Sequence, residues 1–253
     1  MTKESWFNTN WQRKRELDSC ISESDWLSVL EDMRCEDAGP GGLVTFVNPF
    51  SYLQVLDASF DIGRFKWFVD GQLLRVLHRM IFRFDPRRHS FDFTSVASDV
   101  FALCEERRLR LAIVAASPGE PQRAVENIQK KFPQLNVVYF RDGYFSNDSD
   151  LESCFGDLKG EEVDVLICGM GTPLQEEFLL KVDERNIARW AFTCGGFISQ
   201  TAEAVHYYPK FVMKYGFRGL YRIYRHDYVR RRYLYDYPRF LSLYLIGLFK
   251  QAA

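Results

Sequence analysis

Two glycines, a proline and a glutamine-glutamate pair make CGMGTPLQEE (168–177) the segment of this chain best suited to hold a ligand. Glycines let backbone N–H groups approach an anion closely, and a helix opening at Pro173 would add the positive end of its dipole. A nucleotide phosphate or a sugar hydroxyl is therefore the expected guest of Gly169, Gly171 and Gln175. The spacing is neither G-x-G-x-x-G nor that of a P-loop, and the same residues also spell a plain strand-to-helix turn. A second candidate is Asp70 in FVDGQLL, where a short apolar run meets a helix. A carboxylate at such a junction can take a proton from a hydroxyl nucleophile, and the plainer reading is a helix N-cap or an Asp-Gly turn. Thr45 and Asn48 in VTFVNPF carry a hydroxyl and an amide able to hold a polar ligand, while Asn48-Pro49 reads equally well as a helix start. In CGGFISQTAEA (194–204), Gln200 and Thr201 either line a site or open a helix. His78, His89, His206 and His226 are too far apart for a sequence-local metal motif, and neither HExxH nor Asp-x-Asp is expected to mark a site, so no metal is assigned.

The elements that must position these residues alternate between strand and helix from about residue 43, the pattern of a Rossmann-like, layered α/β domain with a mostly parallel sheet. Strands are expected at 43–47, 109–116, 135–140, 163–169 and 188–194, each short, apolar and rich in β-branched residues, as strands covered on both faces should be. Helices are expected at 49–56, 72–82, 95–107, 120–131 and 173–184. For the last, Thr172 reads as N-cap and Gln175 as the partner that closes a T-x-x-Q capping box. Ligands bind such sheets at the carboxyl ends of the strands, so the loops after these runs face the expected site. Residues 1–42 form a helical preface with one helix at about 24–33, residues 43–206 the catalytic domain, and residues 207–253 a basic, aromatic appendage.

That division is drawn by charge. The net charge of the 253 residues is −1, but residues 207–253 hold ten Lys and Arg against two Asp and Glu, and residues 1–206 hold 23 basic against 32 acidic residues. Within the tail, Phe217, Leu220, Tyr221 and Tyr224 fall at helical spacing with Arg218, Arg222 and Arg225 on the other positions. An Arg-rich, Tyr-rich amphipathic stretch suits a solvated face, a nucleic-acid patch or an anionic bilayer. The acidic remainder of the chain disfavours nucleic acid, and the closing LSLYLIGLF is long enough to dip into a bilayer but too short to span one. Six scattered cysteines without a CxxC pair point to reduced thiols and a cytosolic compartment. The N-terminus has no apolar h-region, so neither secretion by a cleaved signal nor a membrane span is expected.

In order along the chain, TFVNP (45–49), FVDG (68–71), DGYF (142–145), CGMGTPLQEEF (168–178), CGGF (194–197), YPKFVMKYGFRGLYRIYR (208–225) and RRRY (230–233) resemble the WecG/TagA/CpsF glycosyltransferase family. The resemblance covers roughly residues 43–240, and its most specific part is the G-x-G-x-P-x-Q-E block joined to the later G-x-x-x-L-Y-R block. It implies an inverting, metal-independent transfer from a UDP-sugar, of the UDP-glucose or UDP-N-acetylhexosamine type, to a polyprenyl-diphosphate-linked saccharide. The work would be done peripherally on the cytoplasmic face of the membrane, with the basic tail on the anionic surface and room for a homo-oligomer. Carried over by position, Asp70 becomes the base, Gln175 a donor contact and Asn48 the asparagine of the first loop. Arg222, Arg230, Arg231 and Arg232 become candidates for the UDP diphosphate, which guanidinium groups can grip bidentately.

The chain departs from the family pattern in four places. Thr45 stands in T-x-x-N where the family writes T-x-N, the stretch between Asn48 and Asp70 is shorter than the resemblance implies, FDFTS (91–95) replaces T-G-S-D, and GGFIS puts Ser199 where an acid is usual. These departures are expected to set a donor sugar of the chain's own, closer to the exopolysaccharide branch with its xanthan glucosyltransferase. They also leave room for a nucleotide- or phospholipid-binding adaptor without chemistry. An NAD-dependent enzyme is disfavoured, because no strand-borne G-x-G-x-x-G with a following acid is found.

Overall fold

The computed structural model describes residues 3–35, 41–203, 221, 223–224 and 227–251. Six strands, β1 (Gly42–Val47), β2 (Phe65–Val69), β3 (Leu111–Ala115), β4 (Val137–Arg141), β5 (Val165–Gly169) and β6 (Trp190–Thr193), form one sheet in the order β2-β1-β6-β5-β3-β4. Every pairing is parallel. Helices cover both faces, so the inner strands are apolar on both sides, and alternate residues enter opposite cores. Along β3, Ala112 and Val114 point into one core while Leu111, Ile113 and Ala115 point into the other.

The first core is roofed by α1 (Lys3–Glu23), α3 (Pro49–Asp57), α4 (Gln72–Phe82), α7 (Asp148–Gly160) and α8 (Leu174–Glu184). The second lies under α2 (Trp26–Arg34), α5 (Val96–Glu106), α6 (Glu120–Gln129) and α9 (Phe197–Glu203). The described part of the tail contributes α10 (Asp227–Arg231), a π-helical turn (Arg232–Asp236) and α11 (Tyr237–Gln251). Phe240 and Tyr244 of α11 are buried in the first core, edge-on to Tyr52 of α3 at 5.3 and 5.6 Å. Most of the amphipathic helix expected near 217–224, and Arg222 with it, lies outside the described residues.

Three readings of the sequence are corrected. The preface holds two helices rather than one, because α1 carries too few apolar residues to draw a stripe. Leu17 and Ile21 are buried, but much of its inward face is the ion pair of Lys14 and Asp18. Helix α7 was not expected: its first turn, DSD, has no apolar residue, and Asn147 caps it by accepting from the Asp150 N–H at 3.0 Å. The apolar run before Asp70 is the edge strand β2, pairing with β1 from Leu43 opposite Phe65 to Val47 opposite Val69.

The buried polar cluster that joins α1 to α11 is tightly matched. Lys14 reaches Asp18 at 2.6 Å, the Tyr52 hydroxyl donates to Asp18 at 2.8 Å, and His78 lies 3.0 Å from both the Tyr244 hydroxyl and Ser22 Oγ. Burial pushes the Asp18 carboxyl up against the pull of Lys14, and burial with Lys14 nearby lowers His78 to about 4. Between that value and 6.5 the unfolded chain binds a proton that folded His78 refuses, so acidification through this window favours unfolding. Urea titrations should show wild type losing up to roughly 3 kcal/mol more than His78→Gln between pH 6.5 and 4. Parallel profiles for the two would refute a buried neutral histidine.

Candidate active site

The carboxyl ends of the strands carry nearly all the chemistry-bearing residues, in two groups. At β1 and β2, Asn48 and Asp70 are neighbours: a Cβ on Gly71 would stand 3.9 Å from Asn48 Cβ, and Gly71 has φ +128°, which favours glycine there. Asn48 caps α3, its Oδ1 accepting from the N–H groups of Phe50 and Ser51 at 3.0 and 3.1 Å, and Ser51 Oγ accepts from the Asn48 N–H in return. The amide is thereby fixed at the rim. Asp70 is half-buried, its N–H tied to the Val47 carbonyl at 2.8 Å and its carboxylate accepting from Arg88 at 3.0 Å. Arg88 also donates to Ser90 Oγ at 2.9 Å and lies 3.6 Å from Asp92. Sequence reasoning missed Arg88, although the altered FDFTS segment begins three residues after it.

The tail reaches this group through Arg232, whose guanidinium lies 3.7 Å from the centre of the Phe50 ring, two residues beyond Asn48. Arg230 is turned toward its own segment, pairing with Asp227 and donating to the carbonyls of Ile223 and Tyr224 at 3.1 Å. Arg231 is exposed.

The second group surrounds a cleft of about 610 Å³ at the ends of β3, β4 and β5. Tyr144 and Phe145 of the DGYF motif, Met170 of the glycine turn and Lys181 of α8 line it. Two glycines permit the close packing at its floor. A Cβ on Gly143 would fall 2.6 Å from Met170 Cγ, and one on Gly169 would fall 2.7 Å from the Gly195 carbonyl oxygen. Gly171 has φ +78° with open space beside it. Ser199 also lines the cleft and donates to Glu120 Oε2 at 2.8 Å, which accepts from the Ser117 N–H at the same distance. A carboxylate thus stands behind Ser199, supplied by α6. Gln200 is half-buried on α9, near Gly196.

Between the groups, Thr45 and Gln175 meet below the rim. Glu176 Oε1 accepts from Thr45 at 2.8 Å, from Gln175 Nε2 at 2.9 Å and from Thr172 at 3.2 Å, and Thr45 lies 2.8 Å from Thr193. Thr45 is fully buried and Gln175 is 3% exposed. The expected capping box is therefore not formed. Helix α8 begins at Leu174 with no side-chain cap, because the Thr172 hydroxyl and the Gln175 amide turn inward to the buried acid. Burial pushes the Glu176 carboxyl up, toward the neutral form. Gln175 Oε1 and Glu176 Oε2 have no partner among the described residues, and one carboxyl proton gives this pair a donor where the carboxylate offers only acceptors.

An Asp-x-Asp sequence does occur, Asp148-Ser149-Asp150, in the first turn of α7. Asp150 is held by Arg141 at 3.0 Å, and among the described residues no three His, Cys, Asp or Glu side chains converge as a metal site. All six cysteines are free thiols, and no described helix is long and apolar enough to cross a membrane.

An all-parallel sheet with helices on both faces and a cleft along its carboxyl edge is a Rossmann-like layered α/β domain. The chain belongs to the glycosyl transferase WecG/TagA/CpsF family, whose profile it matches over residues 18–253. It is 35% identical over 205 residues to the UDP-Gal:alpha-D-GlcNAc-diphosphoundecaprenol beta-1,4-galactosyltransferase of Shigella boydii, an alignment covering 81% of this chain and 86% of that one. The protein is a glycosyltransferase.

The buried acid generates a stability prediction. Replacing Glu176 by Gln keeps a donor and an acceptor in place and should cost less than about 1 kcal/mol, whereas Glu176→Ala removes the acceptor that three donors share and should cost about 2–3 kcal/mol. Equal costs in denaturant unfolding would exclude a neutral acid at this position.

Proposed function

We propose that the enzyme moves a hexosyl unit from a UDP-sugar to a sugar hydroxyl of a polyprenyl-diphosphate-linked saccharide, with inversion and without a metal, as a peripheral protein on the inner face of the cytoplasmic membrane. The observation that carries this reading is the arrangement along the carboxyl edge, with Asp70 at β2 and the aromatic cleft at β3 to β5. Three strand intervals separate β2 from β5, about 14 Å at the usual spacing, which suits a nucleotide sugar laid along the edge.

In this pose the base lies in the cleft against Tyr144 and Phe145, with Lys181 beside the diphosphate and the sugar crossing Gly171 toward β1. Asp70 accepts the proton of the acceptor hydroxyl as its oxygen forms a bond to the anomeric carbon. The bond from that carbon to the phosphate oxygen breaks on the opposite face, and UDP leaves with the electron pair. Arginines that can reach the leaving diphosphate offset its charge, and Arg232, packed on the Phe50 ring beside Asn48, is the described tail arginine this reading uses. The Shigella relative acts on a GlcNAc-diphosphoundecaprenol, which supports an amino-sugar lipid as acceptor here.

The test is UDP release from UDP-galactose, UDP-glucose, UDP-N-acetylglucosamine and UDP-N-acetylmannosamine, with and without a GlcNAc-diphosphate lipid. One donor should give acceptor-dependent release. Asp70→Asn should lower turnover by at least about a hundredfold while UDP affinity stays unchanged. A mutant that still turned over would remove Asp70 from the base role, and UDP binding without release from any donor would favour the adaptor reading.

A further inference from the structure

Residues 1–206 are acidic overall, yet residues 72–88 hold five arginines against a single aspartate. They form α4 and the turn behind it, starting two residues after Asp70. Helix α4 buries Leu74 and His78, its opposite stripe of Gln72, Val76, Arg79 and Met80 is exposed at spacings of three and four, and Arg83, the left-handed residue that ends the helix, is exposed after it. Val76 is 50% exposed, Met80 73%, and Phe84 just beyond the helix 41%. The one acid, Asp85, is half-buried, gripped by Arg75 through two bonds of 2.7 Å and 3.9 Å from Arg79, so the outward stripe keeps an excess of cations beside its bulky apolar groups.

A solvated face gains nothing from Val, Met and Phe side chains. Alternated with arginines, they match the headgroup region of a bilayer, where apolar tips dip in, aliphatic stems lie along the boundary and guanidinium groups meet lipid phosphates. The geometry points to the outer stripe of α4 as a docking surface for an anionic lipid bilayer, separate from the basic C-terminal segment. On the inner side of α4 His78 meets the buried Tyr244 hydroxyl of α11, so the helix that carries the stripe packs on the C-terminal helix. A second copy of the chain fits poorly, since a symmetric contact through this stripe would set arginines against arginines. The inference rests on the lipid-linked acceptor of the reading above for its purpose: a docked α4 holds Asp70 beside the bilayer, where an acceptor diphosphate lies.

The experiment is vesicle cosedimentation of the full chain without donor or acceptor, so that it does not depend on the transfer reaction. Vesicles are phosphatidylcholine alone or mixed with phosphatidylglycerol. The double variants Val76→Asp/Met80→Asp and Arg79→Gln/Arg83→Gln should each bind mixed vesicles about tenfold more weakly than wild type, with unchanged melting temperature. In the transfer assay both should raise KM for the lipid acceptor and leave turnover on a water-soluble acceptor analogue unchanged. Wild-type binding by both variants, or no binding by wild type, would overturn the proposal. So would light scattering that shows a wild-type dimer, without lipid, which Val76→Asp/Met80→Asp dissolves.

Discussion

A single buried carboxyl group, that of Glu176, holds together the strand ends on which the site is built. Its Oε1 gathers hydrogen bonds from β1 through Thr45, from the glycine turn through Thr172 and from the start of α8 through Gln175, while Thr193 of β6 joins through Thr45. Parallel strands are paired by backbone bonds that say little about the loops beyond them. Here side-chain bonds continue the pairing past the strand ends. Buried as they are, each of those donors is costly to leave unmade, which holds the glycine turn in place relative to β1 and β6. The cleft floor, with Gly169 against Gly195 and Gly143 against Met170, then closes to a spacing that only glycine permits.

Much of this was legible in the sequence, and the failures have a common cause. The sheet appeared because its inner strands are continuous apolar runs, and the five helices expected at 49–56, 72–82, 95–107, 120–131 and 173–184 because they fill the gaps between those runs. Asp70 and Asn48 stood out by their place at the ends of such runs. What stayed hidden was polar matter turned inward. Helix α1 looked unpatterned because part of its core face is Lys14 and Asp18. The T-x-x-Q signature of α8 suggested a cap, and tertiary structure recruited the same two side chains to Glu176 instead. Arg88 was invisible because its partner Asp70 is 18 residues away and no periodicity links them.

Charge was legible as a total and not as a map. Counting along the chain assigned an acidic body and a basic tail, yet α4 within the body has an arginine-lined outer stripe, and Arg230 within the tail is consumed by Asp227. Ser199 is a comparable case. It stands where an acid is usual in the resembling family, but a carboxylate is present one bond away, contributed by α6.

The contact between α1 and α11 has a consequence for the birth of the molecule. Lys14 lies 4.4 Å from the centre of the Tyr244 ring, and Phe240 packs on Tyr52, so residues from the two ends of the chain share one core. On the ribosome, α1 and α3 emerge long before α11 exists, so the apolar surface around Tyr52 stays open until residues 237–251 have been made. Until then the surface that Phe240 and Tyr244 will cover is an uncovered apolar face of the nascent chain.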